Sequence, residues 1–144
     1  MPKASPQEIY ALVGGDDHGG PEAFGQLVDR FYEGVQKDPV LRPMYPPDDL
    51  AEARENLALF LIQYFGGPAL YAMKRGHPRL RMRHVPFAID AAARDAWLTH
   101  MNAALDSVPA FAPYTDIMGR YFTQAAHFMQ NRAETVLLDH KQNS

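Results

Sequence analysis

The chain has 144 residues, of which 47% are hydrophobic and 22% are charged, and its formal net charge is −3 at pH 7. These values are ordinary for one globular domain and argue against a protein that coats nucleic acid. Cysteine is absent, which excludes disulfides, thiolate metal ligands, a cysteine nucleophile and thioether attachment of a cofactor.

The first half of the chain is predicted to form helices separated by glycine and proline. A short helix covers residues 6–13, and apolar residues at spacings of three and four predict a longer helix over residues 21–37. Four prolines within residues 38–49 exclude a long helix there. Asp48 or Asp49 is then expected to cap a third helix, which ends at the next glycine pair.

The second half predicts two more long helices. Asp90 caps a helix that carries Trp97 on its apolar side, and a last helix starts near Tyr114 with Phe128 on its apolar face. We expect a single all-α domain over residues 1–144, with a short N-terminal extension and a flexible C-terminal tail. No apolar run has membrane-spanning length and the N-terminus lacks a signal-peptide core, so a cytoplasmic protein without a membrane partner is expected.

Residues 79–87 read RLRMRHVPF and are interpreted as a short helix ended by Pro86. On such a helix Leu80 and His84 share a face, while Arg81 and Arg83 project to other sides. An imidazole on an apolar face beside guanidinium groups suits a ligand with an apolar middle and an anionic edge, such as haem. Two alternatives stay open: His84 bonds a backbone carbonyl and the arginines are solvated, or the basic stripe binds another anion.

The other histidines have simpler interpretations. His18 and His140 are expected in solvent, His77 at a turn, His100 at the edge of an apolar face, and His127 near the core of the last helix. Tyr32, Tyr45 and Trp97 form a second group, since each brings a polar donor to an apolar setting. Backbone carbonyls satisfy such donors in most cores. Ala53 and Leu57 would leave room beside them, however, which predicts a pocket for a small polar ligand.

Six segments of the chain together resemble the truncated haemoglobins, most closely the bacterial group II members. They are VGG at 13–15, RFY at 30–32, VLRPMYPPDDL at 40–50, FLIQYFGGP at 60–68, RGHPRLRMRHVPF at 75–87 and RDAWL at 94–98. The resemblance implies a shortened globin fold, a two-over-two helical sandwich around haem b. It also implies that His84 is the proximal iron ligand and that Tyr32, Tyr45 and Trp97 are distal hydrogen-bonding residues.

The resemblance also implies further contacts of the haem. Ala53 matches the position that holds the distal histidine in longer globins, and Asn56 stands where relatives often place a basic residue that reaches a propionate. Other implied pocket contacts are Leu57, Phe60, Leu80, Phe87 and Met101, with Arg81 or Arg83 near a propionate.

The implied function is binding of O2 and other diatomic gases at a five-coordinate haem iron. Distal donors that slow the release of oxygen favour redox chemistry, such as nitric oxide dioxygenation or peroxidase-like oxidation, over bulk oxygen transport. An electron-donating reductase would then be a partner, and a homodimer is compatible with the sequence. The alternative is a haem-based gas sensor or interaction module without turnover.

Overall fold

The computed structural model describes residues 4–45, 50–77, 79, 82, 84 and 87–131. The α-helices are α1 (Ile9–Leu12), α2 (Gly20–Gln36), α3 (Ala51–Tyr64), α4 (Leu70–Arg75), α5 (Ala91–Ser107) and α6 (Thr115–Met129). Short 3-10 helices cover Pro6–Glu8, Arg42–Met44 and Pro109–Tyr114. Over these ranges no strand occurs, and none of the helices is long and apolar enough to cross a membrane.

The core is formed where two helix pairs pack against each other. Helix α2 packs on α3, α5 packs on α6, and the contact between α2 and α5 joins the pairs. The buried side of α2 repeats at helical spacing and includes Phe24, Val28 and Phe31. Phe24 makes an edge contact with Phe111, their ring centroids lying 5.0 Å apart. The predicted all-α, two-over-two globin architecture is confirmed.

Local signals in the sequence explain several helix ends. Asp90 accepts a hydrogen bond from the backbone N–H of Ala93 at 2.8 Å, so the predicted cap of α5 is confirmed. The predicted caps Asp48 and Asp49 lie outside the described residues. So does most of the segment 79–87, including Leu80, Arg81, Arg83 and Pro86. Helix α4 was not predicted, because two turns are too short to show a periodic apolar face.

The predicted apolar face of the last helix is wrong at its end. Met118, Phe122 and Ala126 form the buried stripe of α6, whereas Phe128 is 59% exposed. Successive residues turn by 100°, so Phe128 lies about 120° around the axis from Phe122. His127 is likewise exposed, which contradicts its predicted place near the core.

Candidate functional site

A cavity of about 740 Å³ lies between the helices, and most of its lining is apolar. Its volume is within the range of pockets that bind small molecules and cofactors. The described residues that line it include Tyr32, Leu41, Met44, Tyr45, Ala53, Asn56, Leu57, Phe60, Leu61, Tyr71, Arg75, His84, Phe87, Ile89, Ala93, Arg94, Trp97, Tyr121, Phe122 and Met129. Helices α2 to α6 therefore all contribute to one site.

One side of the cavity carries polar donors, which we call the donor side: Tyr32, Tyr45 and Trp97. The rings of Tyr32 and Tyr45 meet edge to face, with centroids 5.5 Å apart, and their hydroxyl groups are hydrogen-bonded. Edge contacts with Phe31 at 5.4 Å and Phe122 at 5.9 Å fix the indole of Trp97. Three donors from separate elements thus face one apolar space.

Burial keeps both phenols of the donor side neutral. Burial raises the pKa of Tyr45 to about 12, although its hydrogen bond with Tyr32 acts in the opposite direction. Burial also raises the pKa of Tyr32 well above its usual value, and the neighbouring Tyr45 adds to that increase. Both groups therefore keep a proton to donate at physiological pH.

Helix α3 forms an adjoining wall of small and apolar side chains. Ala53, Leu57 and Phe60 lie one turn apart along it and line the cavity. Asn56 also lines the cavity, and its side-chain oxygen is buried without a hydrogen-bond partner. Buried polar atoms in native proteins nearly always have a partner, so this atom indicates that an occupant of the cavity completes the site.

Another part of the lining, which we call the histidine side, holds His84 and Phe87. Both line the cavity, with ring centroids 6.4 Å apart. Asn131, just beyond α6, donates its side-chain N–H to the carbonyls of Phe87 at 2.9 Å and His84 at 3.4 Å. Its side-chain oxygen accepts the N–H of Ile89 at 2.8 Å. One amide side chain thus connects the backbone around His84 to the end of α6.

Two cationic residues that sequence reasoning missed also line the cavity, Arg75 and Arg94. The guanidinium of Arg75 lies 6.0 Å from the ring centroid of Tyr71. Arg94 donates to Gln130 at 2.8 Å. Neither arginine belongs to the basic segment at 79–87. The only sign of them in the sequence is that each begins one of the segments that resemble the truncated haemoglobins, at 75–87 and 94–98.

The structure brings most of the predicted site residues to this cavity, namely Tyr32, Tyr45, Ala53, Leu57, Phe60, His84, Phe87 and Trp97. Met101 is different, because it is fully buried in the core and does not line the cavity. It lies one turn beyond Trp97, about 6 Å further along α5, where that helix faces the core rather than the cavity. Leu80, Arg81 and Arg83 lie outside the described residues.

Comparison with known proteins identifies the family. The model of the bacterial-like globin family matches residues 9–131. The group 2 truncated hemoglobin YjbI of Bacillus subtilis is 42% identical over 115 residues, which are 80% of this chain and 86% of the relative. The thermostable hemoglobin of Thermobifida fusca is 52% identical, with a TM-score of 0.80 and coverage of 88% of this chain and 98% of that one.

A group II truncated hemoglobin of Bacillus anthracis is also similar, at 36% identity and a TM-score of 0.79, over 88% of this chain and 98% of that one. The chain belongs to the bacterial-like globin family. The resemblance to the group II truncated haemoglobins is confirmed at the level of both sequence and fold. The cofactor of the protein is therefore haem, of the b type usual for these globins, and the protein binds diatomic gases such as O2.

The residues present fit a haem. The cavity is apolar, as a porphyrin requires, and an imidazole lines one of its walls. Arg75 lines the cavity and provides positive charge for an acidic edge, whereas the charge of Arg94 is shared with the carboxylate of Asp95, 2.9 Å away. The amide of Asn56 can present either its oxygen or its nitrogen, and so can bond a donor or an acceptor there.

Proposed function

We propose that His84 would hold the iron of the haem, and that Tyr32, Tyr45 and Trp97 would form the hydrogen-bonding group around a diatomic ligand. In this group Tyr45 and Trp97 would donate to the ligand, and Tyr32 would donate to Tyr45. We propose further that this arrangement serves redox chemistry, such as nitric oxide dioxygenation or peroxidase-like oxidation, rather than oxygen transport. The observation that supports this best is that three neutral donors share one apolar cavity with His84.

Haem supplies an iron that binds diatomic gases and exchanges electrons. The two phenols have different roles around it. The hydrogen bond between them raises the pKa of Tyr32, as expected for a donor, and lowers that of Tyr45, as expected for an acceptor. The proton of Tyr45 is therefore left for a ligand in the cavity.

The strength of these hydrogen bonds favours retention of the gas. Each bond to a charged acceptor contributes about 1.5–3 kcal/mol. Two such bonds slow ligand release by about a hundredfold to ten-thousandfold, since each 1.4 kcal/mol is about tenfold. A protein that holds oxygen this long is poorly suited to deliver it and better suited to react with it.

The acidic edge of the haem would be held by cations at the cavity. Arg75 and Arg94 are candidates, with Asn56 as an uncharged partner. Arg81 and Arg83 stay predictions for the same role. Redox turnover needs an electron donor, so a reductase is the partner that this function implies. The homodimer and the cytoplasmic location also stay predictions.

The test is oxygen release from the ferrous protein, measured by stopped flow, for Tyr45→Phe and Trp97→Phe. Each should accelerate release by about tenfold or more, because a bond to a charged acceptor is lost. Tyr114→Phe is the matched control, since Tyr114 does not line the cavity. Unchanged release in both donor variants would refute the proposed roles.

A second measurement separates turnover from sensing. The oxygenated protein is mixed with nitric oxide in the presence of a reductase and reduced nicotinamide cofactor. Steady consumption of nitric oxide, reduced in the donor variants, is the expected result. A single reaction without further turnover would instead favour the gas sensor or interaction module.

A further inference from the structure

A hydrogen-bonded pair of side chains outside the cavity joins α5 to the turn that follows α2. The Nε2 atom of His100 lies 2.6 Å from the carboxylate Oδ2 of Asp38. Their side chains are 25% and 15% exposed, so the hydrogen bond between them is partly shielded from solvent. The other carboxylate oxygen of Asp38 accepts the backbone N–H groups of Val40 at 2.8 Å and Leu41 at 3.4 Å. One carboxylate thus holds both the helix and the turn.

Helix α2 leaves space for the imidazole ring of His100. A β-carbon at position 34 would overlap the ring of His100, so Gly34 lets the ring lie directly against the helix. Burial alone would raise the pKa of Asp38, but the bonds from His100, Val40 and Leu41 lower it. The carboxylate therefore remains ionised and keeps accepting all of these hydrogen bonds.

The turn held by Asp38 leads without interruption to Tyr45. The backbone carbonyl of Asp38 accepts the N–H of Arg42 at 2.8 Å, and that of Arg42 accepts the N–H of Tyr45 at 3.2 Å. Leu41 is buried within this turn and lines the cavity. His100 lies three residues after Trp97, so the helical turn that carries one distal donor also anchors the segment that carries another.

We propose that His100 and Asp38 are positioning residues for Tyr45. Their pair fixes the turn of residues 38–45 to α5, and so sets where the Tyr45 hydroxyl lies relative to Trp97. This inference rests on the proposed function, in which Tyr45 donates to the bound gas. Neither residue of the pair lines the cavity, so any effect on the ligand must pass through the turn.

A double-mutant cycle on the ferrous holoprotein tests the proposal, with oxygen release measured by stopped flow. His100→Ala should accelerate release by about fivefold or more, as expected when one hydrogen bond of about 1 kcal/mol is weakened. In the Tyr45→Phe background the same change should have less than about a twofold effect, because residues that act through one group are not additive.

Two further variants make the test specific. His100→Gln keeps an N–H donor close to the position of Nε2 and should restore slow release, at least in part. Thr99→Ala is the matched control, since its hydroxyl bonds only the carbonyl of Asp95 on the same helix, at 2.9 Å, and it should release oxygen like the parent protein. The C–O stretching frequency of the carbon monoxide complex gives an independent reading, and should shift alike in His100→Ala and Tyr45→Phe.

The outcomes separate the two proposals. If Tyr45→Phe leaves release unchanged, the role of Tyr45 itself fails. If Tyr45→Phe accelerates release but His100→Ala does not, only the positioning role fails. Equal acceleration by His100→Ala in both backgrounds would also overturn positioning, because the effect would then not pass through Tyr45.

Discussion

The donor side and the histidine side of the cavity are held in different ways. The donor side is formed by side chains from two long helices and by Tyr45 from the turn after α2, and aromatic edge contacts fix them. The segment around His84 is instead connected to the end of α6 through Asn131. The side chain of Asn131 bonds the carbonyls of His84 and Phe87, and its backbone N–H bonds the carbonyl of Ile89 at 2.9 Å. The donor side should therefore tolerate the loss of any one contact better than the histidine side tolerates the loss of Asn131.

The largest expected effect is at His84 itself. His84→Ala removes the imidazole of the histidine side and should abolish the Soret band of five-coordinate haem in the purified protein. His18→Ala is the matched control, since His18 is exposed and away from the cavity. An unchanged spectrum in His84→Ala would mean that another residue binds the iron.

The next largest effect is expected at Asn131. Asn131→Ala removes its side-chain bonds to His84, Phe87 and Ile89, and should lower the free energy of unfolding by about 2–3 kcal/mol. Haem loss to an excess of scavenging apoprotein should also accelerate, because the backbone beside His84 is released. Asn102→Ala, at an exposed position on α5, is the control. Equal haem loss in the two variants would contradict the comparison of the two sides.

The smallest effect is one of pH, to which Tyr45 of the donor side should contribute; Tyr10 and Tyr121, whose pKa values burial also raises, should contribute as well. Burial raises the pKa of Tyr45 to about 12 from an ordinary value of 10.0, although the bond with Tyr32 lowers it, so the fold favours the neutral phenol. This stabilisation is fully present below pH 10 and is lost as the pH rises through about 12.

Urea unfolding at increasing alkaline pH measures this dependence. Tyr45→Phe should weaken the alkaline loss of stability, whereas Asn131→Ala should leave its slope unchanged. The same slope in Tyr45→Phe as in the parent protein would show that Tyr45 does not contribute.

Apolar periodicity and helix caps predict most of the long helices, because both depend on residues that are close together in the sequence. The apolar spacing of α2 and α5 places Tyr32 and Trp97, and Asp90 marks the start of α5. The roles of the site residues came instead from the resemblance to truncated haemoglobins. His127 and Phe128 were misplaced because both lie off the buried stripe of α6, which Phe122 and Ala126 continue into its last turn.

The connections that hold the site in place were not predictable in this way. Asn131 lies 47 residues from His84, and His100 lies 62 residues from Asp38. Such contacts depend on how helices cross, which no local pattern encodes. Arg75 and Arg94 were missed for the same reason, because only the folded chain brings them to one cavity.

The contact between His100 and α2 also determines which glycine of that helix can be replaced to stabilise the protein. Gly25 and Gly34 lie on the same helix, and a glycine within a helix costs about 0.5–1 kcal/mol relative to alanine. A β-carbon at position 25 meets open space, so alanine there would stiffen the helix without a clash. At position 34 the same methyl group would displace His100 from Asp38. Gly25→Ala should therefore raise the thermal stability, whereas Gly34 is needed for His100 to lie against α2 and bond Asp38.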